Sequence, residues 1–140
     1  MRILSELERD PDALSRLSPR QGEEFVAGIY REDGWYVTLT PRSGDGGVDI
    51  IAVRDDVGAI RILDQVKWYS PGHRVTADEV RALWGVLNIH GSASKAVLTT
   101  TSDFAPGVYR EFADYTPTRL ELRNGRHLHD WIKRLKLRRG

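Results

Sequence analysis

The 140-residue chain reads as an α/β sandwich, an antiparallel meander followed by crossover units. Three observations predict it. Two apolar runs, residues 48–54 and 60–68, are separated by the turn signal Asp55-Asp56-Val57-Gly58 and can pair as an antiparallel hairpin. Residues 95–100 form a third run with a continuous apolar middle, Ala96-Val97-Leu98, as a strand inside a sheet requires. Apolar stripes at helical spacing, Phe25-Val26-Ile29-Tyr30 near the start and Leu128-Trp131-Ile132-Leu135 near the end, bracket the strands.

The elements follow in order. Residues 1–17 look helical but broken, because Pro11 after Asp10 suits the start of a second short helix better than the continuation of a first; they are expected to be an N-terminal helical appendage to a domain spanning 18–140. Ser18 as cap, Pro19 at the first position and Gln21 closing a capping box open the first core helix, which Gly34 ends. Residues 35–40 read as a strand, and 41–47 as a turn with three glycines. After the hairpin comes a loop, 69–73. Thr76 and Glu79 form a second capping box, opening a helix through Val80, Leu83, Trp84 and Leu87 that Gly91-Ser92 breaks. Beyond the strand at 95–100, Ser102 or Asp103 can cap a helix carrying Val108, Phe112 and Tyr115. Residues 118–123 alternate like a strand, Asn124-Gly125 turns the chain, and a final amphipathic helix follows.

A hydrophobic fraction of 40% suffices for one modest core. No apolar run is long enough to span a membrane, and the opening Met1-Arg2-Ile3-Leu4-Ser5-Glu6 is too polar for a secretory signal. The absence of cysteine excludes disulfides and thiolate metal sites and fits the cytoplasm. The net charge of +1 hides a basic end: Arg126, Lys133, Arg134, Lys136, Arg138 and Arg139 crowd the C-terminal helix. An anionic partner accounts for them, and so does a solvated helix end whose cations suit the macrodipole.

One constellation carries chemistry. Asp49 sits between Val48 and Ile50, and Gln65 and Lys67 flank Val66. Residues two apart on a strand share a face, and hairpin pairing can bring Asp49 to the same spot. A carboxylate, an amide oxygen and an ammonium gathered there are costly to bury without a purpose. A divalent cation beside a phosphate supplies one. Mg²⁺ takes hard oxygen ligands and keeps several waters, so Asp49, the Gln65 amide oxygen and the Val66 carbonyl can hold it. Lys67 can then reach the attacking water or the scissile phosphate. Glu23, at the start of the first core helix, can add a second carboxylate. The bland alternative makes Lys67 the ion-pair partner of Asp49.

Gly44-Asp45-Gly46-Gly47-Val48-Asp49 with Gln65-Val66-Lys67 resembles the Mrr-like branch of the PD-(D/E)xK restriction endonucleases, in which Gln often replaces the second acid. Gly34-Trp35-Tyr36-Val37, Leu83-Trp84-Gly85-Val86-Leu87, Thr99-Thr100-Thr101-Ser102-Asp103-Phe104 and Arg119-Leu120-Glu121-Leu122 resemble further segments of that family, so the likeness runs over roughly residues 18–132. It implies a restriction-endonuclease-like three-layer sandwich, a mixed central sheet flanked by helices. It also implies Mg²⁺-dependent cleavage of DNA, with Mn²⁺ as a substitute, and Asp49, Gln65, Lys67 and Glu23 as the catalytic set. The chain departs from the family at Gly22, where an aromatic usually precedes the helix acid, which leaves Glu24 as a rival to Glu23. Residues 1–17 are too short to form the DNA-binding domain that frequently accompanies the family.

The expected activity is restriction of foreign or modified DNA. A junction resolvase-like, structure-selective nuclease shares the same chemistry, and a DNA-binding module without cleavage is the reading from another class. Cutting both strands with one active site per chain favours a homodimer. Arg42 and Ser43 can contact phosphate, Asp45 is a turn residue with a DNA-facing role as its alternative, and Lys136 represents the basic end. Trp68 and Tyr69 suit packing better than base stacking, and His73 suits solvation. His127 and His129 are two apart on a helix and make a poor metal pair.

Overall fold

A computed structural model describes residues 10–41 and 47–139; residues 42–46 of the predicted glycine-rich turn, with Arg42, Ser43 and Asp45, lie outside the described residues. Pro11–Arg16 forms a 3₁₀ helix capped by the Asp10 carboxylate. Then follow α1 (Pro19–Glu32), β1 (Tyr36–Leu39), β2 (Ile50–Asp56), β3 (Gly58–Lys67), α2 (Ala77–Ile89), β4 (Lys95–Thr100), α3 (Val108–Glu111), β5 (Leu120–Arg123) and α4 (Gly125–Arg139). Among the described residues, the five strands make one sheet in the order β1-β2-β3-β4-β5. The first three are antiparallel, and β4 and β5 run parallel to β3.

Strand alternation splits the core between the two faces of the sheet. Ile50, Ala52, Ile62, Val66 and Val97 pack with Phe25, Val26, Ile29 and Tyr30 of α1 and with Leu128, Trp131, Ile132 and Leu135 of α4. Leu63, Ala96 and Leu98 pack on the other face with Val80, Leu83 and Leu87 of α2 and with Val108 and Phe112. The result is a three-layer sandwich around a mixed sheet. Leu14 of the 3₁₀ helix is buried in the first of these cores.

Both predicted capping boxes form, Ser18 with Gln21 and Thr76 with Glu79. Gly34, at φ +91°, follows the end of α1. Three local expectations are corrected. Asp49 lies one residue before β2 rather than within it. Neither Ser102 nor Asp103 caps α3, because Phe104 bridges to Val75 and holds the backbone extended. That helix starts only after Gly107, at φ +87°, and spans four residues, leaving Phe112 and Tyr115 outside it. Asn124 turns the chain by capping α4: its Oδ1 accepts from the His127 N–H at 2.9 Å, and its own N–H donates to His127 Nδ1 at 3.1 Å.

Candidate active site

The site forms where β2 and β3 part. Their pairing ends at Ile50 opposite Asp64, yet β3 continues to Lys67 against β4. Past Asp64, the backbone of β3 therefore has no strand on its β2 side. Asp49 fills the gap: its Oδ2 accepts the Val66 N–H at 2.7 Å. Within a strand, a residue's N–H and C=O point the same way, so the Val66 carbonyl opens onto the same gap. The Asp49 backbone is pinned as well. Its N–H donates to the Asp64 carbonyl at 3.0 Å, and its carbonyl accepts the Thr40 N–H at 2.9 Å.

Burial raises the Asp49 carboxyl above its ordinary value and the charge of Glu23 adds to the rise, while the Val66 N–H, Lys67 and Arg20 oppose it. Glu23 is thus near enough to act on Asp49. It comes from the first turns of α1, where Arg20 Nη1 donates to its Oε1 at 2.9 Å and reaches the Thr40 carbonyl at 3.2 Å. The side chain of Glu24, by contrast, is 58% exposed against 15% for Glu23, and touches Arg20 only at 3.9 Å. The space beside Gly22 belongs to Trp68, whose ring lies 2.3 Å from where a Cβ would stand.

Gln65 Oε1 is buried and has no hydrogen-bond partner among the described residues. Its Nε2 fills the space that a side chain at Gly47 would need, 2.6 Å from an ideal Cβ, and Gly47 has φ +72°. A buried amide oxygen without a donor is an uncompensated cost unless something else binds it. A hard cation fits. Among the described residues no three His, Cys, Asp or Glu side chains gather as a metal cage. A cation in the gap therefore draws on amide and backbone oxygens beside carboxylates, the donor set Mg²⁺ accepts.

Lys67 does not pair with Asp49. Its Nζ lies 3.6 Å from Glu79 Oε2. The other Glu79 oxygen accepts from the Thr76 N–H at 3.0 Å and the Thr76 hydroxyl at 3.1 Å, while Oε2 also accepts the Tyr69 hydroxyl. Burial alone would raise the Glu79 carboxyl. The Tyr69 hydroxyl, Thr76 and Lys67 outweigh it and hold the group below its ordinary value.

Sequence reasoning missed Arg20 and the second role of Glu79, whose capping signal accounted for it fully. It also missed a buried network behind the site. Asp64, fully buried on the opposite face of β3, accepts from the Tyr30 hydroxyl at 2.6 Å and the Thr99 hydroxyl at 3.0 Å, with Arg123 Nη1 at 3.5 Å. The Arg123 guanidinium lies 4.0 Å over the Trp131 ring and reaches Glu121 at 3.1 Å.

The remaining candidates scatter. Lys136 stands half-buried on α4. Two residues on, Arg138 bonds Asp33 at 2.6 Å, beyond the C-terminal end of α1. Glu23 lies near the start of that helix, roughly 15 Å of helical rise away. Trp68 donates its indole N–H to the Leu14 carbonyl at 3.1 Å. His73 stacks on Tyr69 with ring centroids 3.9 Å apart. Thr100 accepts the Ser102 N–H at 3.1 Å.

Comparison with known proteins agrees with this fold. The fold is similar to MspJI restriction endonuclease, solved in complex with a 27-mer oligonucleotide (TM-score 0.55, 22% identity, covering 96% of this chain and 30% of that one). It is also similar to AspBHI, a DNA modification-dependent restriction endonuclease (TM-score 0.58, 19% identity, 97% and 38%). An uncharacterized protein of Sinorhizobium fredii, y4cE, is 49% identical over 43 residues, which are 31% of this chain and 11% of that protein. The chain thus spans well under half the length of each. The restriction endonuclease model Mrr_cat matches residues 14–132, across both faces of the sandwich and the whole gap between β2 and β3, and the chain belongs to that restriction endonuclease family.

Proposed function

We propose that the chain is a Mg²⁺-dependent DNA endonuclease that hydrolyses phosphodiester bonds, with Asp49, Gln65, Lys67 and Glu23 at its active site. The observation that carries the reading is the buried, unpartnered Gln65 oxygen, on the residue next to Val66, whose N–H the Asp49 carboxylate accepts. The Gln65 oxygen, the Asp49 carboxylate and the Val66 carbonyl would hold the cation, and Glu23, facing Asp49 from α1, adds the second carboxylate. When bound, the cation screens the phosphate and acidifies a water. Lys67 supplies the positive group that orients that water and offsets charge growing on the scissile phosphate. Mn²⁺, which takes the same oxygen donors, is the expected substitute.

The proposed substrate is modified or foreign DNA. AspBHI, the modification-dependent endonuclease of similar fold, supports this by analogy at the level of the fold. Cleavage of both strands calls for two active sites and hence a homodimer. A cysteine-free chain acting on DNA suits the cytoplasm, and among the described residues no helix is long and apolar enough to cross a membrane.

The test is incubation of methylated, unmodified and branched DNA with the protein and Mg²⁺, Mn²⁺ or EDTA. Cleavage is expected with either ion, none with EDTA, and none from Asp49→Ala, which should also lose divalent-ion binding in calorimetry while remaining folded. Equal cleavage by wild type and Asp49→Ala, or no cleavage of any substrate by the wild type, overturns the reading.

A further inference from the structure

We infer that Glu79 is a positioning residue for the proposed nuclease site: it draws the Lys67 ammonium away from Asp49 and so keeps the Asp49 carboxylate open to the cation. The inference rests on the nuclease reading above and adds to it a residue on α2, an element that contributes none of the proposed cation ligands.

Lys67 is close enough to Asp49 for its charge to act on that carboxylate. Opposite charges so placed attract strongly in a half-buried gap, and an ammonium settled on Asp49 would occupy the place of a metal ion. Yet the ion pair that forms is with Glu79, at 3.6 Å. Glu79 can hold Lys67 because it is itself held. Its Oε1 is fixed by the Thr76 backbone N–H and hydroxyl. Its Oε2 takes the hydroxyl of Tyr69, whose ring is stacked parallel on His73. A carboxylate bound from three sides loses little further freedom when it takes a fourth partner. The distance is also informative. At 3.6 Å the pair is an ion pair without a close hydrogen bond, so the ammonium is held yet can be drawn toward a phosphate.

The chain contains its own control for the structural role of Glu79. The equivalent capping-box position in α1 is Gln21, which closes its box with the Ser18 N–H at 2.8 Å. A glutamine therefore suffices for the cap, with its oxygen toward Thr76; its NH2 then stands where Oε2 was and donates to the Tyr69 hydroxyl oxygen. Glu79→Gln thus removes the charge that faces Lys67 while the cap and a bond to Tyr69 are kept.

The experiment is a double-variant cycle read by calorimetry with Mn²⁺ alone, on wild type, Glu79→Gln, Lys67→Met and the combined variant. Glu79→Gln is expected to keep the wild-type thermal midpoint and to weaken Mn²⁺ binding about tenfold, as Lys67 turns onto Asp49. In the Lys67→Met background the same substitution should have no effect. Unchanged affinity in Glu79→Gln, or an equal loss with and without Lys67, overturns the inference. A metal-free crystal structure of Glu79→Gln decides the matter independently of any ion: Lys67 Nζ should pair with the Asp49 carboxylate, and an ammonium that stays beside residue 79 overturns the inference. A wild type that takes up no Mn²⁺ counts against the nuclease reading, and that metal-free structure still settles the role of Glu79.

Discussion

At the residue scale, the site depends on what each charge can reach. Lys67 is a compact ammonium on a flexible stem, and arginine's planar fork prefers two oxygens at once. If Lys67 serves the attacking water, Lys67→Arg should fail nearly as badly as Lys67→Ala. Each should lose on the order of 3 kcal/mol of transition-state stabilisation, about a hundredfold in single-turnover rate. DNA binding should persist in both. An arginine variant that cleaves at close to the wild-type rate would remove Lys67 from the chemistry and leave it as the partner of Glu79. Gln65 is a different case. Its place was legible as an amide in a strand of apolar neighbours, but not the fit of its amide group against Gly47, where a Cβ would stand 2.6 Å from Nε2.

At the element scale, two features decide how α1 and β3 are joined. Gly22 lies in α1, where alanine would ordinarily add up to about 1 kcal/mol of helix stability. Here a Cβ would stand 2.3 Å from the Trp68 ring. That ring cannot yield, because its indole N–H is bonded to Leu14 and its edge meets Phe25. Overpacking of this kind costs about 1–3 kcal/mol, so Gly22→Ala should lower the thermal midpoint by a few degrees; a rise would show that Trp68 repacks freely. The second feature is Asp64. Burial pushes its carboxyl from 3.8 up to about 7, against the pull of Arg123, Tyr30 and Thr99. A group whose folded value is raised contributes stability at low pH that is lost as pH climbs to the folded value. Stability of the metal-free chain should therefore fall by on the order of a few kcal/mol between about pH 4 and 7. Asp64→Asn keeps an oxygen for Tyr30 and Thr99 and should flatten that slope in EDTA-containing melts. An unaltered slope would assign the titration elsewhere. The carboxyls held below their ordinary values, Glu121 and Asp103 among them, act at lower pH, while the raised Asp49 carboxyl adds in the same direction and is left unchanged in the Asp64→Asn comparison.

At the scale of the whole molecule, the question is how far the proposed DNA interface would extend beyond the gap. The basic end of α4 is tied by Arg138 to Asp33, at the far end of α1 from Glu23. A duplex touching both would cover the length of that helix. Cations that neutralise phosphates release counterions, so binding weakens as salt rises. Deleting residues 136–140 should weaken DNA binding and reduce the salt slope by about 1 for each phosphate that is no longer neutralised, without altering the metal requirement. Fluorescence anisotropy across a salt series reads this directly, and an unchanged slope would return the basic end to the role of a solvated helix terminus.

The order of elements, both capping boxes, the hairpin and the residues of the β2–β3 gap were all legible in the sequence. They rest on local rules: strand and helix periodicity, caps and turn residues act over a few positions. The local rules failed at Asp103 and Phe104, where a bridge to distant Val75 keeps the backbone extended and delays α3. They offered Asp49 as the alternative partner of Lys67 and not Glu79, which is 12 residues on and already explained by its cap. They were silent on Asp64, whose partners Tyr30, Thr99 and Arg123 come from α1, β4 and β5. Periodicity tells which face of an element a residue occupies. Which charge stands opposite it across a sheet, and how much water the fold leaves between them, is decided only by tertiary packing.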